Sequence, residues 1–127
     1  MTVAERIESY LINLSLTYEQ VDEQLWVITD EDNTVGSLVV FVDDSLVTVR
    51  TKVMELPGAR QRELFEDLLR LNLEMVHGAY ALEQDHVVLI ETLEAAGLDL
   101  AQFQAVIDAI GLTLAEHYPR LATYRER

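Results

Sequence analysis

Three histidines and a dense set of carboxylates are the groups in this chain that could do chemistry, and their spacing points away from it. His77, His86 and His117 stand on separate stretches. None has a second His or a Cys at the spacing a metal site requires. Asp30 and Asp32, followed by Gly36, faintly resemble a calcium loop. An EF-hand needs a glycine at its sharp turn and a closing bidentate glutamate, and those places hold Val35 and Phe41. A solvated turn is the better reading. No Gly-x-Ser-x-Gly elbow surrounds Ser9, Ser15, Ser37 or Ser45, and no glycine-rich phosphate loop exists. Glu63, Glu66 and Asp67 fall on the polar side of one helical stretch, where Glu66 and Arg70 have the favourable order for an ion pair. A hydrated face explains them better than acid–base work. The expectation is no catalytic residue, no metal and no cofactor.

Two features do break local rules. Arg60 and Arg62 open a helical stretch, where the helix dipole disfavours cations. With Arg50 and Lys52 they could form a basic spot that docks an acidic group of a partner. The plainer reading is neutralisation by Glu55, Glu63 or Glu66. Trp26 is the only tryptophan. It is either a core residue or an anchor on a recognition surface, where Trp is enriched.

The elements that must position these residues follow from periodicity. Val3, Ile7, Leu11 and Leu14 mark an amphipathic helix over Thr2–Leu14, and Thr2 with Glu5 fits a capping box. Ser15–Glu23 is mixed and polar, with a short strand at Tyr18–Val21 only an option outside the count, and Leu25–Asp30 is a strand. Gly36–Val42 and Leu46–Met54 form a hairpin around Asp43-Asp44. That register puts Leu38, Val40, Val42, Val47, Val49, Thr51 and Val53 on a core face. Val39, Phe41, Leu46, Thr48, Arg50 and Lys52 share the other face, half apolar and half basic. After Leu56-Pro57-Gly58, the run Ala59–His77 is the strongest helix. Leu64, Leu68, Leu71 and Met75 make one stripe, which Phe65, Leu69, Leu73 and Val76 broaden. That stripe is wider than one buried face needs, so the helix must be covered on two sides. Gly78 suits its C-terminal end. Ala79–Glu83 and His86–Leu93 form a second hairpin around Gln84-Asp85. Asp99 caps a last helix, weakened at Gly111 and expected to kink or restart near His117-Tyr118 because of Pro119. The order is helix, three strands, helix, two strands, helix: an α+β domain with an antiparallel five-stranded sheet.

The chain has 127 residues, half of them hydrophobic, enough for one domain over 1–127 with a real core. The formal net charge is −14, from 23 acidic and 9 basic residues. A field of that sign repels nucleic acid and anionic membrane and attracts basic partners. No cysteine is present and no stretch approaches the ~20 apolar residues of a membrane span. The N-terminus runs straight into a helical pattern, which favours the cytoplasm.

Met54-Glu55-Leu56-Pro57, Leu64-Phe65-Glu66-Asp67-Leu68-Leu69-Arg70-Leu71-Asn72, Ala81-Leu82-Glu83 and Val87-Val88-Leu89-Ile90 resemble the YbjN-like proteins, within the wider group of class I type III secretion chaperone-like proteins. The element order agrees, and the resemblance spans nearly the whole chain. It implies a small acidic homodimer with neither catalytic residue nor cofactor, holding an extended segment of a partner protein on apolar patches. The middle helix and late strands would contribute to the dimer.

The expected function is therefore a non-enzymatic protein-binding module, chaperone-like or adaptor. Trp26, Val39, Phe41, Leu46, Arg50, Lys52, Arg60 and Arg62 are the expected partner-binding residues. Leu64, Leu68, Leu71 and Met75 are the expected dimer residues. The competing expectation is a small-ligand sensor or regulatory subunit whose carboxylates converge in an acidic pocket.

Overall fold

The computed structural model describes residues 1–29 and 37–125. Three helices and six strands follow in the order α1 (Val3–Asn13), β1 (Tyr18–Asp22), β2 (Leu25–Thr29), β3 (Ser37–Asp43), β4 (Leu46–Glu55), α2 (Gln61–Glu74), β5 (Ala79–Glu83), β6 (His86–Glu94) and α3 (Leu100–Ala122). The strands form one antiparallel sheet in the order β1-β2-β3-β4-β6-β5. The α+β class is as expected, with a sixth strand. The weak stretch at Tyr18 is a true strand, polar because it lies exposed at the sheet edge. The turn containing Asp30, Asp32 and Gly36 lies outside the described residues.

All three helices supply the same core. Ile7 and Leu11 of α1, Leu64, Leu68 and Leu71 of α2, and Phe103, Val106, Ile107, Ile110 and Leu114 of α3 meet one face of the sheet, through Trp26, Ile28, Leu38, Val40, Val42, Val47, Val49, Val87 and Leu89. The alternation in β3, and in β4 as far as Thr51, is what gives the sheet this single greasy side.

The β3–β4 hairpin corrects the expected register. Val42 lies opposite Val47 and Val40 opposite Val49, so the loop is Asp44-Ser45 rather than Asp43-Asp44. Asp44 takes the positive φ (54°) that closes so tight a loop. Because each strand moves by one residue, the pairing shifts by an even count and both faces keep their members up to Thr51. Beyond it, an irregularity between Lys52 and Met54 turns Met54 inward and leaves Val53 only half-buried. The second hairpin turns at Gln84-Asp85 as expected, with Gln84 at φ 52°.

Helix ends follow side-chain chemistry. Thr2 accepts from the Glu5 N–H at 3.1 Å. Asp99 and Gln102 form a full capping box on α3. The middle helix is shorter than its periodicity predicts. Arg60 precedes it in the left-handed region (φ 62°), and Met75 is already extended. α3 continues through Pro119 to Ala122 rather than restarting. Its last turn is held from outside: Arg120 Nη2 donates to Asp67 Oδ1 at 2.7 Å, Tyr124 Oη donates to Asp67 Oδ2, and Leu121 and Tyr124 are buried. These contacts offset the backbone hydrogen bond that proline removes. No helix among the described residues is long and apolar enough to cross a membrane.

Candidate protein-binding surface

With every helix on one side, the opposite face of the sheet has no helical cover among the described residues. Antiparallel register lines up its members across strands. One row reads Glu19, Val27, Val39, Arg50, Ile90 and Ala79; the next reads Asp22, Leu25, Phe41, Thr48 and Thr92. Val39 is half-buried by its strand neighbours, Phe41 is 42% exposed, and Leu46 is equally open at the hairpin end. Val88 is buried on this face, outside the main core.

The basic residues expected here are all partnered. Arg50 makes a two-pronged contact with Glu83, with Nη2 to Oε1 at 2.9 Å. The Arg50 hydrogen bond holds the Glu83 carboxyl below the usual carboxylate range, and His86 Nε2 lies 3.5 Å from Glu83. Lys52 pairs with Glu55 at 3.1 Å. Arg50, Lys52, Glu83 and His86 line a shallow cleft of about 260 Å³ with Val39 and Val88. Arg60 pairs with Glu63 at 3.0 Å, donates to the Thr123 carbonyl at 3.3 Å, and sits 4.7 Å over the Tyr124 ring. Arg62 pairs with Glu66 at 3.2 Å. So Arg50 and Lys52 share the open face, while Arg60 and Arg62 belong to the start of α2. The basic spot is four ion pairs, three of them local and the Arg50–Glu83 pair between strands, and neutralisation explains the cations near the α2 N-terminus.

Trp26 corrects another expectation. Its side chain points to the helix-covered face and is 1% exposed, so it is a core residue. The same holds for Leu64, Leu68 and Leu71: all three are sealed inside their own subunit, and Met75 is half-buried against the core. They are unavailable to a second copy. The more continuous of the two apolar stripes on α2 serves the monomer's own sheet.

The second stripe remains open. Leu69 is 69% exposed, Leu73 89% and Val76 91%. Asn72 fastens α2 to β5, so this stripe and exposed Leu82 border the same end of the sheet. Helical spacing marked Leu69, Leu73 and Val76 as apolar; only the fold tells which stripe is spare. Leu82, at a sheet edge, carried no such mark. Behind this end, Tyr80 Oη and His117 Nδ1 lie 2.7 Å apart. Burial raises the Tyr80 phenol and lowers the His117 imidazole, so both are neutral near pH 7. Among the described residues no cluster of His, Asp and Glu could hold a metal ion.

The sequence over residues 1–127 matches the model of the CesT_Tir_1 family. The chain belongs to that family. No curated protein sequence matches it. Its fold is that of YbjN from E. coli (15% identity, TM-score 0.71, covering 94% of this chain and 96% of that one). It is also that of the Yersinia pestis type III secretion chaperone SycH, solved with a stable fragment of YscM2 (18% identity, TM-score 0.64, covering 98% and 100%). A third likeness is to the ExoU–SpcU complex of the Pseudomonas aeruginosa type III secretion system (14% identity, TM-score 0.72, covering 94% and 98%). The resemblance read from the sequence is therefore right for both family and fold.

Proposed function

We propose that this member of the family is a non-enzymatic protein-binding module, chaperone-like or adaptor, that works as a homodimer and holds a segment of a partner protein. The observation that carries this reading is the spare apolar stripe of Leu69, Leu73 and Val76 beside Leu82. A monomer gains nothing from four large side chains held in water at one end of the sheet. Each is worth roughly 1.5–3 kcal/mol when fully covered. We assign this end to the second copy, and the open sheet face around Val39, Phe41 and Leu46 to the partner segment. SycH, solved with its YscM2 fragment, supports the holding of a partner segment by analogy of fold. The acidic-pocket alternative finds little support, because the cleft lined by Lys52–Pro57 and Arg125 has Glu55 as its one carboxylate.

Sedimentation of the purified chain across the micromolar range tests the homodimer. A dimer is expected, burying at least ~1,000 Å² in total; a monomer throughout refutes it. Affinity capture with the wild type and with Phe41→Asp in parallel tests the partner face. A protein retained by the first and lost by the second is the expected result. Equal retention by both would refute the assignment.

A further inference from the structure

An edge strand presents a row of unpaired N–H and C=O groups that can template another strand. The two edges of this sheet, β1 and β5, meet that hazard differently. β1 is polar, exposed and irregular, carrying Glu19, Gln20 and Asp22 with a register shift near Val21. Charge and a bulge blunt such an edge. β5 has no bulge, and its one charge, Glu83, is tied to Arg50. Its sequence is Ala-Tyr-Ala-Leu-Glu, and Ala79, Ala81 and Leu82 are exposed.

On β5 the protection comes from side chains. Along an antiparallel pair, residues alternately turn their backbone groups toward and away from the neighbour. Tyr80 lies opposite Leu89, yet both its backbone groups go to Asn72 of α2. Its N–H donates to Asn72 Oδ1 at 2.7 Å, and its carbonyl accepts from Asn72 Nδ2 at 3.3 Å. A primary amide offers a donor and an acceptor side by side, as the backbone of an adjacent strand would. Just before the strand, at φ 84°, the Gly78 N–H donates to the Glu91 carboxylate of β6 and belongs to the turn rather than to the edge. The next outward position in this alternation is Leu82. Asn72 ends the Leu64–Asn72 stretch, one of the four that carry the family resemblance, and no part of the proposed recognition uses it.

We propose that Asn72 closes the β5 edge to strand addition, so that a second copy of this chain meets the α2–β5 end through side chains and not by continuing the sheet. The second copy as occupant rests on the homodimeric reading above; the closure itself does not. With Asn72 removed, Tyr80 and Leu82 would present successive free donor–acceptor pairs on an apolar strand, enough to start an antiparallel ladder.

Hydrogen exchange on the wild type is the first test. The Tyr80 amide should exchange at least roughly tenfold more slowly than that of Leu82, matching one net hydrogen bond. Equal rates would overturn the closure. The second test is Asn72→Ala, followed by light scattering after size exclusion at rising concentration. It should form species larger than the wild type, and adding Leu82→Pro should suppress them. Leu82→Pro removes an N–H that faces away from β6, so the ladder itself is spared. A folded Asn72→Ala protein with the wild-type size distribution would overturn the proposal. If Asn72→Ala does not fold, the wild-type exchange rates decide. A monomeric wild type would refute the homodimer alone.

Discussion

Leu73→Glu separates folding from association better than any other single change. Leu73 is 89% exposed, so the charged side chain enters water in the monomer and the core is untouched. The unfolding free energy of the dissociated monomer should change by no more than about 0.5 kcal/mol, as for surface substitutions generally. Association is different. In a two-fold interface each copy contributes its own Leu73. Covering one such side chain is worth about 2 kcal/mol, so the pair accounts for about 4 kcal/mol. That corresponds to a rise in Kd of roughly a thousandfold. Sedimentation velocity over a wide concentration range reads this directly, with thermal unfolding of the same samples as the companion measurement. Leu71→Asp is the control. Leu71 lies two positions away but is buried, so an unpaired carboxylate there should unfold the chain. Should Leu73→Glu lower the melting temperature as Leu71→Asp does, or leave the dimer intact, the assignment of the two stripes on α2 is wrong.

Three other outcomes follow from the geometry. Phe41→Asp should leave the fold intact and weaken partner capture, since Phe41 stands on the uncovered sheet face opposite Thr48; a collapse of thermal stability would place that face in the interior. Gly111→Ala should raise stability by about 0.5–1 kcal/mol, because nothing lies within 4 Å of the added carbon, whereas Gly78→Ala should lower it, with φ at +84° and Leu89 Cδ1 at 3.3 Å; chemical denaturation compares the two. Asp67 has its carboxyl lowered from the ordinary 3.8, first by the Arg120 hydrogen bond and then by Tyr124. Its contribution is thus present above that value and lost as pH falls through the lower folded-state value. Asp67→Asn should flatten the acid limb of stability below about pH 4, and an unchanged limb would show that the clamp on the end of α3 carries no charge-dependent stability.

Much of the fold was legible because period and polarity agree locally. The alternation from Leu38 to Thr51 dictated one covered and one open face, and a loop displaced by one residue left that division intact. Asp99 announced α3 through its capping chemistry. What sequence could not show was which of two apolar stripes on α2 meets the sheet. Leu64, Leu68 and Leu71 and their neighbours Leu69 and Leu73 look alike by hydropathy, and only tertiary packing separates them. Trp26 was ambiguous for the same reason. The Asn72–Tyr80 and Asp67–Tyr124 contacts join residues on different elements, and no local pattern announces such pairs. Pro119 was overruled by tertiary anchors of this kind.

The lone indole has a practical use. Trp26 is fully enclosed, and its Nε1–H finds no acceptor in the structure, so native emission should be blue and featureless to quenchers in the buffer. Unfolding would shift it to the red. Docking at the α2–β5 end or on the bare strand face would leave it dark to the event. The molecule therefore carries an optical gauge of its own integrity that is blind to company, so a variant that fails to bind can be checked for intact structure by its emission alone.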